Sequence, residues 1–199
     1  MSRFLTLVPA AVSATEFVEF WRRFYTDTDA AYFGNIGPDG NLATDNVLAL
    51  MRWKSGPRHE TRAEGFGRAV PLQVFNDARA KRTFDDVELR AAYDEITHFL
   101  RRAGHQRSDG IIWRIFLCHI AQPQTTPIYD VNVWRAWGFI EEWLDADYLA
   151  QRPNRFATYL DYRRWFNGLV STYSLDSREV DRALMAFGQF LGSRWRGLL

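Results

Sequence analysis

The run Ile111 to Ala121 (IIWRIFLCHIA) is apolar at every position except Arg114 and His119, and it sets the terms for the rest of the chain. At helical pitch such a segment has no outward face, so other elements must surround it. Elsewhere apolar residues recur at three- and four-residue spacing, and the alternating β-branched runs that mark strands are few. The expectation is an all-α fold of about eight helices around one core.

Local signals place those helices. Ser13-Ala14-Thr15-Glu16 has the form of a capping box ahead of Phe17, Phe20, Trp21 and Phe24, which predicts a helix over 14–26. Thr44 or Asp45 can cap a second through Val47, Leu48, Leu50, Met51 and Trp53, ended by Ser55-Gly56-Pro57. A polar loop is expected to about residue 70. Pro71 suits the first turn of a third helix, and Asp85-Asp86 can open a longer one closed by Gly104. A polar hairpin then leads into 111–121, and Gln122 to Pro127 must turn. Asp130 opens a helix to Leu144. Another follows Pro153, and Asp176-x-x-Glu179 caps the last, carrying Val180, Leu184, Phe187 and Phe190.

Composition excludes several classes. With 199 residues, 47% apolar, the chain can bury a real core, yet no stretch approaches the ~20 apolar residues of a membrane span. Its start lacks the pattern of a signal peptide, so a cytoplasmic protein is expected, with no membrane partner. Cys118 is the only cysteine, which rules out an intramolecular disulfide and a cysteine-ligated cluster. His98, His105, Cys118 and His119 do not share a helix face, so neither a metal nor another cofactor is expected. The formal charge is +1, but residues 111–150 hold two basic against five acidic side chains while 51–110 hold twelve against nine. The middle of the chain is therefore locally acidic. All basic residues but Lys54 and Lys81 are arginine. Arginine forks suit phosphate oxygens, and codon bias gives the same enrichment.

The order of segments over 105–135, a hairpin, a buried helix, a proline turn and then Asp-x-x-Val-x-Arg (Asp130, Val133, Arg135), resembles that of the helix-hairpin-helix DNA glycosylases. In the 8-oxoguanine glycosylase branch the catalytic aspartate is followed by Val-His-Met-Trp, and here Val131-Asn132-Val133-Trp134 stands in those places. The chain is similar in length to bacterial proteins of 8-oxoguanine glycosylase-like fold, in its Trp53-to-Gly56 segment and in its C-terminal helix. The resemblance implies one domain over 1–199 in two lobes, roughly 1–70 with 150–199, and 71–149. Double-stranded DNA would pass between the lobes, with a modified base flipped into a central cleft. It implies Asp130 as the catalytic residue, and Arg107, Ser108, Gly110, Asn132 and Arg135 as DNA contacts. Met185, Phe187 and Gln189 would line the base pocket.

Each of these residues has a plainer reading. Asp130 is a common N-cap type, Met185 and Phe187 suit a core, and Gln189 suits solvent. Arg135 suits a surface ion pair. Trp134 and Trp137 suit either a core or a wedge into a duplex. Two departures bear on mechanism. The lysine nucleophile of the lyase-active members lies about nineteen residues before the aspartate, where this chain has Ile111, so a Schiff base there is impossible. The family's Gly-x-Gly hairpin is replaced by Gln106-Arg107-Ser108-Asp109-Gly110, in which Asp109 opposes a phosphate. Three functions follow: a monofunctional, water-using DNA N-glycosylase in repair or phage defence, a DNA-binding protein of the same fold without catalysis, or a helical protein-interaction module.

Overall fold

The computed structural model describes residues 13–26, 29–37, 41–81, 83–105, 110–141 and 153–192, and every regular element among them is a helix. In chain order these are α1 (Ala14–Trp21), α2 (Ala30–Ile36), α3 (Thr44–Ser55), α4 (Glu60–Ala69), α5 (Leu72–Ala80), α6 (Asp86–Arg102), α7 (Gly110–Ala121), α8 (Val131–Ile140), α9 (Phe156–Tyr173) and α10 (Ser177–Gly192). The all-α expectation holds, and the ten α-helices among the described residues exceed the eight expected.

The two additional helices are α2 and α4. Seven residues are too few for α2 to display a period. In α4 the buried stripe is only Ala63, Phe66 and Gly67, so its sequence reads as polar loop. Its packing is by close approach: a Cβ on Gly67 would stand 3.2 Å from Leu48 Cδ2 and Met51 Cγ, both on α3.

Capping follows the sequence at three sites. Ser13 Oγ accepts from Glu16 N at 3.2 Å, and Asp176 Oδ1 accepts from Glu179 N at 2.9 Å. Asp85 accepts from Val87 N and Glu88 N, both at 2.8 Å, while Glu88 Oε2 accepts from Asp85 N, a complete capping box. Gly104 closes α6 at φ +87°, a conformation open to glycine. At α3 the expected cap fails. Thr44 is already helical, and Asn46 reaches back to accept from Ala43 N at 2.9 Å instead. Pro71 precedes α5 rather than entering its first turn. After α1 the chain tightens into a 3₁₀ turn over Arg22–Phe24 instead of continuing to residue 26. Of the helix expected over 130–144, residues 142–144 lie outside the described residues.

The chain divides into two units, one of residues 1–26 with 128–199 and one of 27–127. The division falls at other places than 70/71 and 149/150, because α4 packs on α3 and α6, while α8 packs on α10. In the 27–127 unit α7 is buried along almost its whole length, with α5 and α6 against it. Arg79 on α5 donates to the carbonyls of Ile120 at 3.2 Å and Gly37 at 3.4 Å, and also to that of Ile36. It thereby caps α7 and α2 together. Gln122 Nε2 donates to Ala78 O at 2.7 Å, and also to Lys81 O.

In the other unit α10 lies on α8 and α1. A Cβ on Gly188 would fall inside the carbonyl oxygen of Asn132 and 2.8 Å from its Cα, so only glycine permits this crossing. Gly188→Ala is expected to cost on the order of 3 kcal/mol, because backbone must move. Gly67→Ala meets only side-chain atoms and gains about 1 kcal/mol of helix propensity, so it should stay within ~1 kcal/mol of wild type. Urea midpoints of the two variants check the contrast.

Candidate functional site

The proline turn delivers the chain to Ile128, Tyr129 and Asp130, all buried, immediately ahead of α8. Asp130 is extended (φ −154°, ψ −176°), which turns its side chain back over the helix start. Its Oδ1 accepts from Asn132 N at 2.8 Å and Val133 N at 2.9 Å. The plainer reading is thus observed directly: Asp130 is the N-cap of α8. Two amides fix the carboxylate's orientation, and the helix N-terminus favours its charged form. The residue is 8% exposed.

Tyr129, the residue before it, belongs to an aromatic cluster. Tyr129 lies 5.2 Å from Tyr159 and 5.1 Å from Tyr162 between ring centroids, and Trp137 lies 5.5 Å from Tyr162. Burial pushes the Tyr162 hydroxyl well above the ordinary tyrosine range, and the neighbouring Asp181, Tyr159, Asp130 and Tyr129 push it the same way. It stays protonated at neutral pH. Asp181, on α10, is 6% exposed, with Arg178 Nη1 3.8 Å from its Oδ2. Sequence reasoning missed both Asp181 and Tyr162. A signal for Asp181 was present: it falls three and seven residues before Leu184 and Gly188, on the buried stripe of α10.

Of the residues singled out from sequence, Asn132, Arg135 and Met185 come together at the α8–α10 crossing. Arg135 Nη1 donates to Asn132 Oδ1 at 3.2 Å, and Asn132 Nδ2 lies 3.6 Å from Met185 Sδ. Phe187 is not with them. Two residues along a helix is about 200°, and Phe187 is buried against Trp21 at 4.9 Å, Phe139 at 5.2 Å and Phe17 at 5.4 Å. Gln189 is exposed. Met185, Phe187 and Gln189 therefore do not line one pocket. Trp134 and Trp137 are both buried, which makes them core and not surface wedges.

Gly110 begins α7 at φ +49°, while Arg107 and Ser108 lie outside the described residues. Ile111, where the lyase lysine would stand, is buried in α7. Lys54 lies 5.8 Å over the Phe116 ring, and Lys81 is 3.5 Å from Glu88.

No group of three His, Cys, Asp or Glu among the described residues is arranged to hold a metal. His119 Nδ1 lies 2.6 Å from the Thr126 carbonyl and must donate to it, so Nε2 of the neutral ring accepts from Tyr32 Oη at 2.8 Å. His98 is exposed, and His105 packs its ring 4.7 Å from Phe66.

Two outcomes follow. Asp130→Ala should lower stability by about 1 kcal/mol through loss of the cap, whereas Asp130→Asn should stay within a few tenths, by urea unfolding. Burial, aided by the charge of Asp94, pushes the Cys118 thiol far up, so no thiolate forms at neutral pH. Its reaction with a thiol reagent should therefore proceed only as fast as the surrounding core opens, and should accelerate across the urea transition. Compared with known proteins, the chain matches no family model, no curated protein and no solved structure.

Proposed function

We propose that this chain is a monofunctional DNA N-glycosylase, which removes a damaged or modified base from duplex DNA by hydrolysis with Asp130 as its catalytic carboxylate. One observation carries the reading: the Asp130 carboxylate is held by the amides of Asn132 and Val133 at the head of α8, at the place where the chain resembles the glycosylases. Breaking an N-glycosidic bond builds positive charge on the sugar. A carboxylate already oriented needs no reorganisation to stabilise that charge. Water supplies the new bond to the anomeric carbon, the bond to the base nitrogen breaks, and the departing base leaves with a proton. The buried Ile111 offers no amine, which favours water over a covalent lysine intermediate. A base must leave the stack to be reached, at a cost of a few kcal/mol that is smallest for a damaged or mismatched base.

The burial of Asp130 favours a second reading, a DNA-binding protein of the same fold that leaves every base in place. One assay separates the two. Duplexes bearing oxidised, alkylated, deaminated and enzymatically modified bases are incubated with protein, and abasic sites are cleaved with alkali. Wild type is expected to produce strand breaks on at least one duplex, and Asp130→Asn to be slower by about 100-fold or more while retaining its cap. Equal rates in the two proteins would remove the mechanism. Salt-sensitive binding without breaks in either would establish the second reading.

A further inference from the structure

Three segments of the 27–127 unit meet on one imidazole. His119, in α7, is 2% exposed, and its Nδ1 donates to the Thr126 carbonyl at 2.6 Å. Its Nε2 accepts from the hydroxyl of Tyr32 at 2.8 Å, and Tyr32, on α2, is 5% exposed. The imidazole stacks on Phe116 at 5.7 Å with 14° between the planes, and Phe116 lies 6.0 Å from Trp53 of α3. Both hydrogen bonds form together only on a neutral ring whose hydrogen sits on Nδ1. Helix α2 has two buried side chains, Tyr32 and Ile36, so the bond to His119 acts on half of what this helix buries.

Protonation would disturb the arrangement. A hydrogen on Nε2 would point at a hydroxyl that is itself donating, so Tyr32 would have to turn its O–H towards another acceptor. Among the described residues, the charged groups on the elements around the ring are Lys54, Arg79, Asp94 and Asp29. Lys54, on α3, lies 5.8 Å over the Phe116 ring, and Arg79, on α5, donates to the carbonyl of Ile120 beside His119. Asp94, on α6, interacts with Cys118, and Asp29 is buried at the head of α2. A cationic ring would add to the positive charges of α3 and α5 where burial already penalises charge.

We infer that His119 is a proton-operated latch on α2: its neutral ring holds the Tyr32 hydroxyl and the Thr126 carbonyl together, and a proton arriving at Nε2 releases Tyr32. The direction in pH follows from which form is held. The closed ring is neutral and an opened one titrates near pH ~6.5, so the latch is fully closed above that pH and weakens as the pH falls through it. Each further pH unit multiplies the opening constant of α2 by about ten, because one proton is taken up on opening.

The test uses the full chain. Nitrogen-15 spectra of the wild-type imidazoles, assigned by through-bond correlation, should show His119 neutral and protonated at Nδ1 at about pH 7.5. Hydrogen exchange of the α2 amides, corrected for its intrinsic pH dependence, is then compared between about pH 7.5 and about pH 5.5. Wild-type protection is expected to fall by about tenfold. Tyr32→Phe keeps the ring and removes the donor. Its α2 should be less protected already at the upper pH and should change by no more than about twofold across the range. A His119 ring that is cationic, or that carries its only proton on Nε2, at the upper pH would overturn the inference from wild type alone. A tenfold loss that persists unchanged in Tyr32→Phe would overturn it as well, since burial of the imidazole and not its bond to Tyr32 would then set the pH dependence.

Discussion

Where α10 crosses α8, the backbone at Gly188 stands against the carbonyl of Asn132 with no room for a side chain. The placement of α8 against α10 depends on that approach. It draws Asn132 and Arg135 against Met185, and it sets Asp181 on the face of α10 that turns inward. It also fixes the start of α8, and so the two amides that orient Asp130. An ordinary core of large side chains would hold the helices further apart, at the usual 8–10 Å between axes. The same device recurs between α3 and α4, where Gly67 lies against Leu48 and Met51, although there flexible side chains and not backbone define the limit.

The interior formed around this crossing is unusually polar for one so aromatic. Tyr129, Tyr159, Tyr162 and Trp137 are buried in the same unit as two buried carboxylates, Asp130 and Asp181. Rings supply area and rigid shape, while their hydroxyls and indole nitrogen require partners. A core of leucine and phenylalanine would be simpler to stabilise, because buried polar groups add little net stability even when satisfied. Their presence here gives Asp130 a low-dielectric surrounding in which its charge acts over a longer distance than in water.

How much of this was legible depended on whether the signal was local. Ser13, Asp85, Asp130 and Asp176 announce helix starts because a capping side chain acts within three residues of itself, and each does so in the structure. Helix α4 was hidden since its buried face is Ala63, Phe66 and Gly67, and one large apolar residue makes no recurring stripe. The site divides in the same way. Asp130 could be found from its own neighbours, whereas Tyr162 and Asp181 belong to helices about thirty and fifty residues further on, and no local pattern links them to it. Met185, Phe187 and Gln189 seemed a set by proximity in sequence, and helical rotation separates the middle one.

In the 27–127 unit, Arg79 takes the last carbonyls of α2 and of α7 on a single guanidinium. Helix C-termini carry partial negative charge, and one cation here gathers the ends of two helices far apart in sequence. Helix α2 has only seven residues and two buried side chains, too little to persist alone. Its order is therefore conditional. The carbonyls of Ile36 and Gly37 find their side-chain donor on α5, so the end of α2, which itself packs on α3, is tied to the helix that lies against α7.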